Sequence, residues 1–259
     1  MHELTFGDPC IVFALRRESR AFQREFPPHQ RFPGAPCRAR FCGPSWLSVL
    51  VLETGLGPAR TATALGWLLN RPVLGNLPYR PKVILSAGFS GALQEKYQVG
   101  DIILATEVAD LDGNRWPATW PDALPAGKWQ PPLHRDRLLT VSRPAGDPAE
   151  KRALGQQHGA GAVDMETAVV ARLCSRHGVP FGCVRAISDR LDTPLSPKVL
   201  SVLKDGRVRL PRLLMALAGS PRLAAELWRL ARDTRMAAEQ LRRALGEILT
   251  LTLSWAADL

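Results

Sequence analysis

Residues 160–189 read AGAVDMETAVVARLCSRHGVPFGCVRAISD, and this stretch decides the fold. The run 160–164 predicts a short strand. Apolar residues then recur at helical spacing from about Glu166 to Arg176, and Gly178 stops the helix. Residues 180–187 (PFGCVRAI) read as a central-type strand that ends at Ser188-Asp189. Strand, helix, strand in so short a span is the rhythm of an α/β sheet.

The same rhythm extends towards the N-terminus. Asp147-Pro148-Ala149-Glu150 is a helix start: Asp can cap, Pro suits the first turn and Glu follows three residues after Asp. That helix is predicted to run to about His158 and stop at Gly159. Residues 10–15 (CIVFAL), 46–52 (WLSVLVL), 82–86 (KVILS) and 100–108 (GDIILATEV) read as strands. Residues 58–69, opened by Pro58 after Gly55 and Gly57, read as a helix. Ala87–Gly91 (AGFSG) reads as a glycine-rich turn closing the third of those strands. Residues 113–133 carry Trp116, Trp120 and Trp129 among five prolines and read as a long loop, neither helix nor strand.

The C-terminal quarter differs. Leu210, Leu214 and Leu217 share a face, as do Leu223, Leu227 and Leu230, then Leu241, Leu245, Ile248 and Leu249, with breaks at Pro211 and Gly219-Ser220-Pro221. The expected organisation is an α/β domain over 1–195, with a mixed, twisted central sheet flanked by helices. A basic helical segment over 196–259 packs on it.

The 259 residues are 46% hydrophobic and 22% charged, which excludes disorder as the main description. Lys and Arg number 34 against 24 Asp and Glu, a formal net charge of +10. That charge first suggests nucleic acid or an anionic membrane. Residues 204–243 alone carry ten Lys/Arg and four Asp/Glu, so most of the excess belongs to the appended helices. There Arg is interleaved with Leu and Ala rather than with aromatics, and no helix-turn-helix or zinc pattern occurs. A basic nucleic-acid-binding module is therefore the weaker alternative. Peripheral contact with anionic lipid is compatible with an enzyme.

The five cysteines (10, 37, 42, 174 and 183) form no CxxC and no ligand set, so reduced thiols in a cytoplasmic setting and no metal are expected. No signal-peptide pattern opens the chain. No run of about 18 apolar residues occurs that could span a bilayer.

Three carboxylates stand out by placement. Glu18 follows the first strand, Glu166 sits at a strand–helix junction, and Asp189 closes the central strand. Ligands of α/β sheets gather at the carboxyl ends of strands, so these acids could meet in one crevice, or serve only as caps and turn residues. Arg185 lies four residues before Asp189, on the same face of a regular strand but roughly 13 Å away, too far to pair without a bend at Ser188.

Asp164-Met165-Glu166-Thr167-Ala168 followed by Arg185-Ala186-Ile187-Ser188-Asp189 resembles the paired signature of the nucleoside phosphorylase / methylthioadenosine–adenosylhomocysteine nucleosidase superfamily. Ala14–Glu18, Thr54-Gly55-Leu56-Gly57, Ser86–Gly91 and Val99–Ile102 fall in that family's order, spanning residues 11–192. Residues 189–247, with Asp205-Gly206-Arg207-Val208, resemble the C-terminal region of hopanoid-associated phosphorylases, whose proposed substrate is adenosylhopane.

The resemblance implies cleavage of a purine N-ribosyl bond, in a homo-oligomer, with no cofactor and with phosphate or water as co-substrate. The substrate is a 5′-substituted adenosine, a methylthioadenosine-type compound or a purine nucleoside in general. It implies that Asp189 protonates or hydrogen-bonds purine N7, helped by a recessed apolar strand end. Glu166 would hold the ribose hydroxyls and Met165 would pack beneath the sugar. Gly88, Phe89, Ser90 and Ser188 would line the substrate site. Glu18 would activate water in a nucleosidase. In a phosphorylase, Arg16, Arg17 and Gly55 are the candidates for holding phosphate. Phe89 stands where many relatives carry a small hydroxyl residue, and Ala87 where some phosphorylases carry an Arg, which tilts the reading towards hydrolysis. Trp116 and Trp120 are expected as a lid over the 5′ substituent.

Overall fold

The computed structural model describes residues 9–44, 48–71, 73–74, 77–120, 132–196 and 221–257. The elements run β1 (Cys10–Phe13), α1 (Arg16–Glu25), β2 (Pro28–Arg31), β3 (Arg38–Cys42), β4 (Val49–Glu53), α2 (Pro58–Leu69), β5 (Val73–Leu74) and β6 (Leu77–Pro78). Then come β7 (Ile84–Ala92), β8 (Ile102–Asp110), β9 (Arg115–Pro117), β10 (Leu133–Thr140), α3 (Pro148–His158), β11 (Ala162–Asp164), α4 (Thr167–His177), β12 (Phe181–Asp189) and α5 (Pro221–Ala257).

The sheet order is β11-β10-β8-β12-β7-β1-β4-β3-β2, with β9 on β8. The end of β7 also pairs with β11, Gly91 opposite Val163, so β7, β12, β8, β10 and β11 close into a ring. Around β7 the pairing is parallel with β1 and β12, and β8 runs antiparallel to β12.

Both sheet faces are covered, and strand alternation decides which side chain goes where. Cys10, Val12, Leu50 and Leu52 face α2 and α4, meeting Leu65, Leu68, Val170 and Cys174. Their neighbours Ile11, Phe13, Val49 and Val51 face α1 and α5, meeting Phe22, Phe26, Leu241, Leu245 and Ile248. The C-terminal apolar stripe is therefore part of the sheet's own core. The Leu210–Leu217 stripe lies outside the described residues.

The predicted starts and stops of α3 and α4 have visible causes. Asp147 caps α3 by accepting from Ala149 N (2.7 Å) and Glu150 N (3.1 Å), and Gly159 ends it in the left-handed region at φ +58°. Gly178 ends α4 at φ +63°.

Two expectations need correction. Residues 87–91 are not a turn: β7 runs straight through them to Ala92. Gly88 and Gly91 have no positive φ; they are small because side chains cross the sheet there. A Cβ on Gly88 would collide with the Arg185 guanidinium and stand 2.9 Å from Glu18 Oε1, and one on Gly91 would stand 2.9 Å from Asp189 Oδ2. Residues 113–133 are not wholly loop either. β9 forms a hairpin with β8, Trp116 opposite Val108, around a turn in which Asp110 Oδ1 accepts from Asp112 N and Asn114 N. Trp129 lies outside the described residues.

Candidate active site

α1 starts almost as soon as β1 ends, and this sharp junction sets Glu18. Its Oε2 accepts from Leu15 N at the helix start (2.7 Å), and its Oε1 accepts from Phe89 N on β7 (3.1 Å). The carboxyl is buried, and burial pushes its pKa up against the opposing pull of Arg185.

Glu166 occupies the cap position of α4 and accepts from Gly57 N (2.9 Å) at the start of α2. Gly57 adopts φ +96°, a conformation that favours glycine, and this lets its N–H face the carboxylate. Burial, then the adjacent Asp164 charge, pushes Glu166 up to about 7.

Arg185 is spent inside this framework. Its guanidinium donates to Asp164 Oδ2 (2.7 Å) and Ser86 Oγ (2.8 Å). Asp164 also accepts from Thr140 Oγ1 (2.7 Å) and Thr167 N (3.1 Å). This buried network ties β7, β10, β11, β12 and α4 together below the site. Arg185 does not pair with Asp189.

Asp189 is re-aimed by an irregularity in the β12–β7 register between Ile187 and Asp189, at the position of Ser188. Ser188 Oγ donates to its Oδ1 (2.9 Å). Its Oδ2 is ion-paired with the Lys151 ammonium, which also donates to Arg190 O (2.9 Å). Lys151 is fully buried. The apolar recess expected around Asp189 is therefore a buried ion pair.

Sequence reading missed Lys151. A signal did exist: Lys151 shares a helix face with Gly155, and a Cβ on Gly155 would stand 2.5 Å from Leu93 O. That face of α3 must press against the sheet.

These carboxylates meet in one cavity of about 260 Å³. Glu18, Glu166, Asp189, Met165, Phe89, Ser90, Ser188 and Arg17 line it. Leu15, Leu56, Val141, Leu195 and Leu230 supply an apolar wall, and Thr234 joins Leu230 from α5. Ser90 Oγ is buried with no hydrogen-bond partner among the described residues.

Other predicted residues lie elsewhere. Gly88 is behind the cavity, under Arg185 and Glu18. Arg16 is exposed and outside the lining. Gly55 does not line it either; its φ of +88° shapes the turn, and Arg60 packs beside it.

Trp116 and Trp120 are not at the cavity. Trp120 donates from Nε1 to Ala105 O (2.7 Å) and lies over Gly182, at the opposite end of β12 from Asp189. Trp116 stands opposite Val108 and packs on the core cluster of the other sheet face. The hairpin with β8 holds both at that end, so neither serves as the expected lid. Among the described residues no cluster of three or more His, Cys, Asp or Glu could hold a metal ion.

The family model described as the Phosphorylase superfamily matches residues 45–126 and 122–218. The chain belongs to this superfamily. It is 25% identical over 195 residues to the 5′-methylthioadenosine/S-adenosylhomocysteine nucleosidase of an Exiguobacterium species, covering 66% of this chain and 80% of that one. It is 27% identical over 163 residues to the nucleosidase of the same name from Bacillus cytotoxicus, covering 54% and 68%. The fold is that of the Arabidopsis thaliana 5′-methylthioadenosine nucleosidase (TM-score 0.67, 14% identity, 95% of this chain and 96% of that one). It is also that of the Helicobacter pylori futalosine hydrolase (TM-score 0.66, 14% identity, 94% and 97%). The superfamily match takes in Gly88, Glu166 and Asp189, whereas Glu18 and α5 lie outside it.

Proposed function

We propose that this enzyme cleaves the N-ribosyl bond of a 5′-substituted, adenosine-type purine nucleoside, releasing adenine, with water as acceptor. The relatives named as nucleosidases and hydrolase support the bond and the substrate class. The observation that carries the choice of water is Glu18. It is a buried carboxyl with a raised proton affinity at the cavity wall, suited to taking a proton from water. A phosphate entering there would meet that carboxyl. Arg185 is committed to Asp164, Arg16 is outside the cavity, and among the described residues Arg17 remains as the cation of the lining.

In this reading Asp189 faces the purine and Glu166 accepts from the ribose hydroxyls. Met165 packs against the sugar, and Ser90 Oγ offers an uncommitted hydrogen-bonding group. Glu166 favours positive charge developing at the ribosyl carbon, an effect worth about 3 kcal/mol in preorganised sites. The apolar wall suits an apolar 5′ group, from methylthio to the lipid-like side chain of adenosylhopane. The latter would place the enzyme in hopanoid synthesis and its basic C-terminal segment on the anionic inner face of a membrane. No helix among the described residues is long and apolar enough to cross a membrane. Assembly as a homo-oligomer is part of the same reading.

Incubation with methylthioadenosine, adenosylhomocysteine, inosine and a lipid-linked adenosine, with and without phosphate, tests this. Adenine and the free 5-substituted ribose are expected from the adenosine-type substrates in both conditions. Base release that occurs only with phosphate, and saturates with it, overturns the hydrolytic reading. Glu18→Gln should lower kcat on the order of 100-fold or more with little change in KM.

A further inference from the structure

Expelling a purine as a neutral base requires a proton at N7 while the C1′–N9 bond breaks. Asp189 faces the cavity, but its Oδ2 is the ion-pair partner of the Lys151 ammonium. Lys151 does not line the cavity. It stands behind Asp189, fully buried, with Arg190 O as its other acceptor.

We propose that Lys151 is the proton store for the departing base and acts through Asp189. This rests on the N-ribosyl cleavage proposed above.

The step balances as follows. Asp189 passes a proton to purine N7 and takes one from the Lys151 ammonium. The C1′–N9 electron pair goes to the purine, which leaves neutral. Lys151 is left as a neutral amine, and the positive charge it held appears on the ribosyl carbon, beside Glu166 and Glu18. Water adds at that carbon and gives a proton to Glu18; Glu18 then releases that proton to solvent and Lys151 takes one back, which closes the cycle. A lysine suits this role because an ammonium can give up a proton, whereas a guanidinium does not.

Arg17 lines the same cavity but is not paired with Asp189, and the other surrounding charges are engaged elsewhere. On α3, Glu150 pairs with Arg143 (2.6 Å), Arg152 with Glu95 (3.4 Å), and Asp147 caps its own helix. On and after β12, Arg185 pairs with Asp164 and Arg190 with Asp192 (2.8 Å). On α5, Arg232 pairs with Asp233 (2.8 Å). Glu166 and Glu18 share the cavity with Asp189. Among the described residues, Lys151 is therefore the cation that meets Asp189.

The test compares methylthioadenosine with its N7-methyl derivative, whose purinium leaving group needs no proton. For Lys151→Met, kcat/KM on methylthioadenosine should fall on the order of 100-fold at pH 7.5. The loss should deepen as pH rises, because without the ammonium the proton for N7 must come from solution. The N7-methyl substrate should lose no more than about 5-fold. Lys151→Arg, which keeps the charge, should not restore the loss.

Equal losses on both substrates at every pH, or full rescue by Lys151→Arg, would overturn the proposal. Should Lys151→Met fail to fold, the wild-type enzyme decides: a basic limb seen with methylthioadenosine must be absent with the N7-methyl substrate, and the same limb in both refutes it. A wild-type enzyme inactive on both substrates rejects the proposed function instead.

Discussion

Glu166 couples the site to stability through its proton. Folding raises its pKa to about 7 from an ordinary carboxyl value near 4.5, so the folded state binds the proton more tightly than the unfolded chain. The favourable contribution is complete below the unfolded value and is lost as pH rises towards 7. Glu166→Gln, which stays neutral, should therefore raise Tm relative to wild type at pH 8 and leave it nearly unchanged at pH 4. A scanning-calorimetry comparison showing the same offset at both values would contradict this.

Gly88 acts through space. Alanine there drives a methyl group into the Arg185 guanidinium and against Glu18. Shifting Arg185 weakens a buried pair with Asp164, and losses from such breaks run to about 3 kcal/mol. Gly88→Ala should lower both Tm and kcat/KM.

Among the elements, α5 carries two duties. Leu241, Leu245 and Ile248 are fully buried against the sheet, and Leu230 with Thr234 closes one side of the cavity. Leu245→Ala should cost about 3 kcal/mol in denaturant unfolding. Met236→Ala, on the 45%-exposed face of the same helix, should change stability by no more than about 0.5 kcal/mol.

Elements with strong end signals were legible in the chain. Pro58, Asp147, Gly159 and Gly178 fix ends of α2, α3 and α4 through backbone geometry that involves only nearby residues. The AGFSG segment was not. Glycine at a turn and glycine under a crossing side chain look alike in sequence, and only the neighbouring strand β12 distinguishes them. Trp116 and Trp120 failed for a related reason: aromatic residues among prolines announce an ordered segment, not which end of the sheet it joins.

On the scale of the whole molecule, the basic charge turns out to be partly neutralised where it is described. Arg232 pairs with Asp233, and Arg242 bridges Glu25 and Glu239. α5 completes the core cluster that contains Ile11, Phe13, Phe22 and Phe26. A chain ended after Ser220 should uncover that cluster and fail to fold. A soluble truncated chain with a cooperative thermal transition would refute this. The full chain should unfold in a single transition, because sheet and helix share one core.

The sequence by itself determined the α/β rhythm, the helix ends, and the identity of three acids at element junctions. Each depends on local periodicity and backbone preference. It did not determine which cations those acids meet. Arg185 was visible as a neighbour of Asp189 in sequence, yet it serves Asp164 from across the sheet, and Asp189 is met by Lys151 from a helix 38 residues away. A long side chain's partner is set by which elements pack together. Only the closed sheet and the helices laid on it decide that.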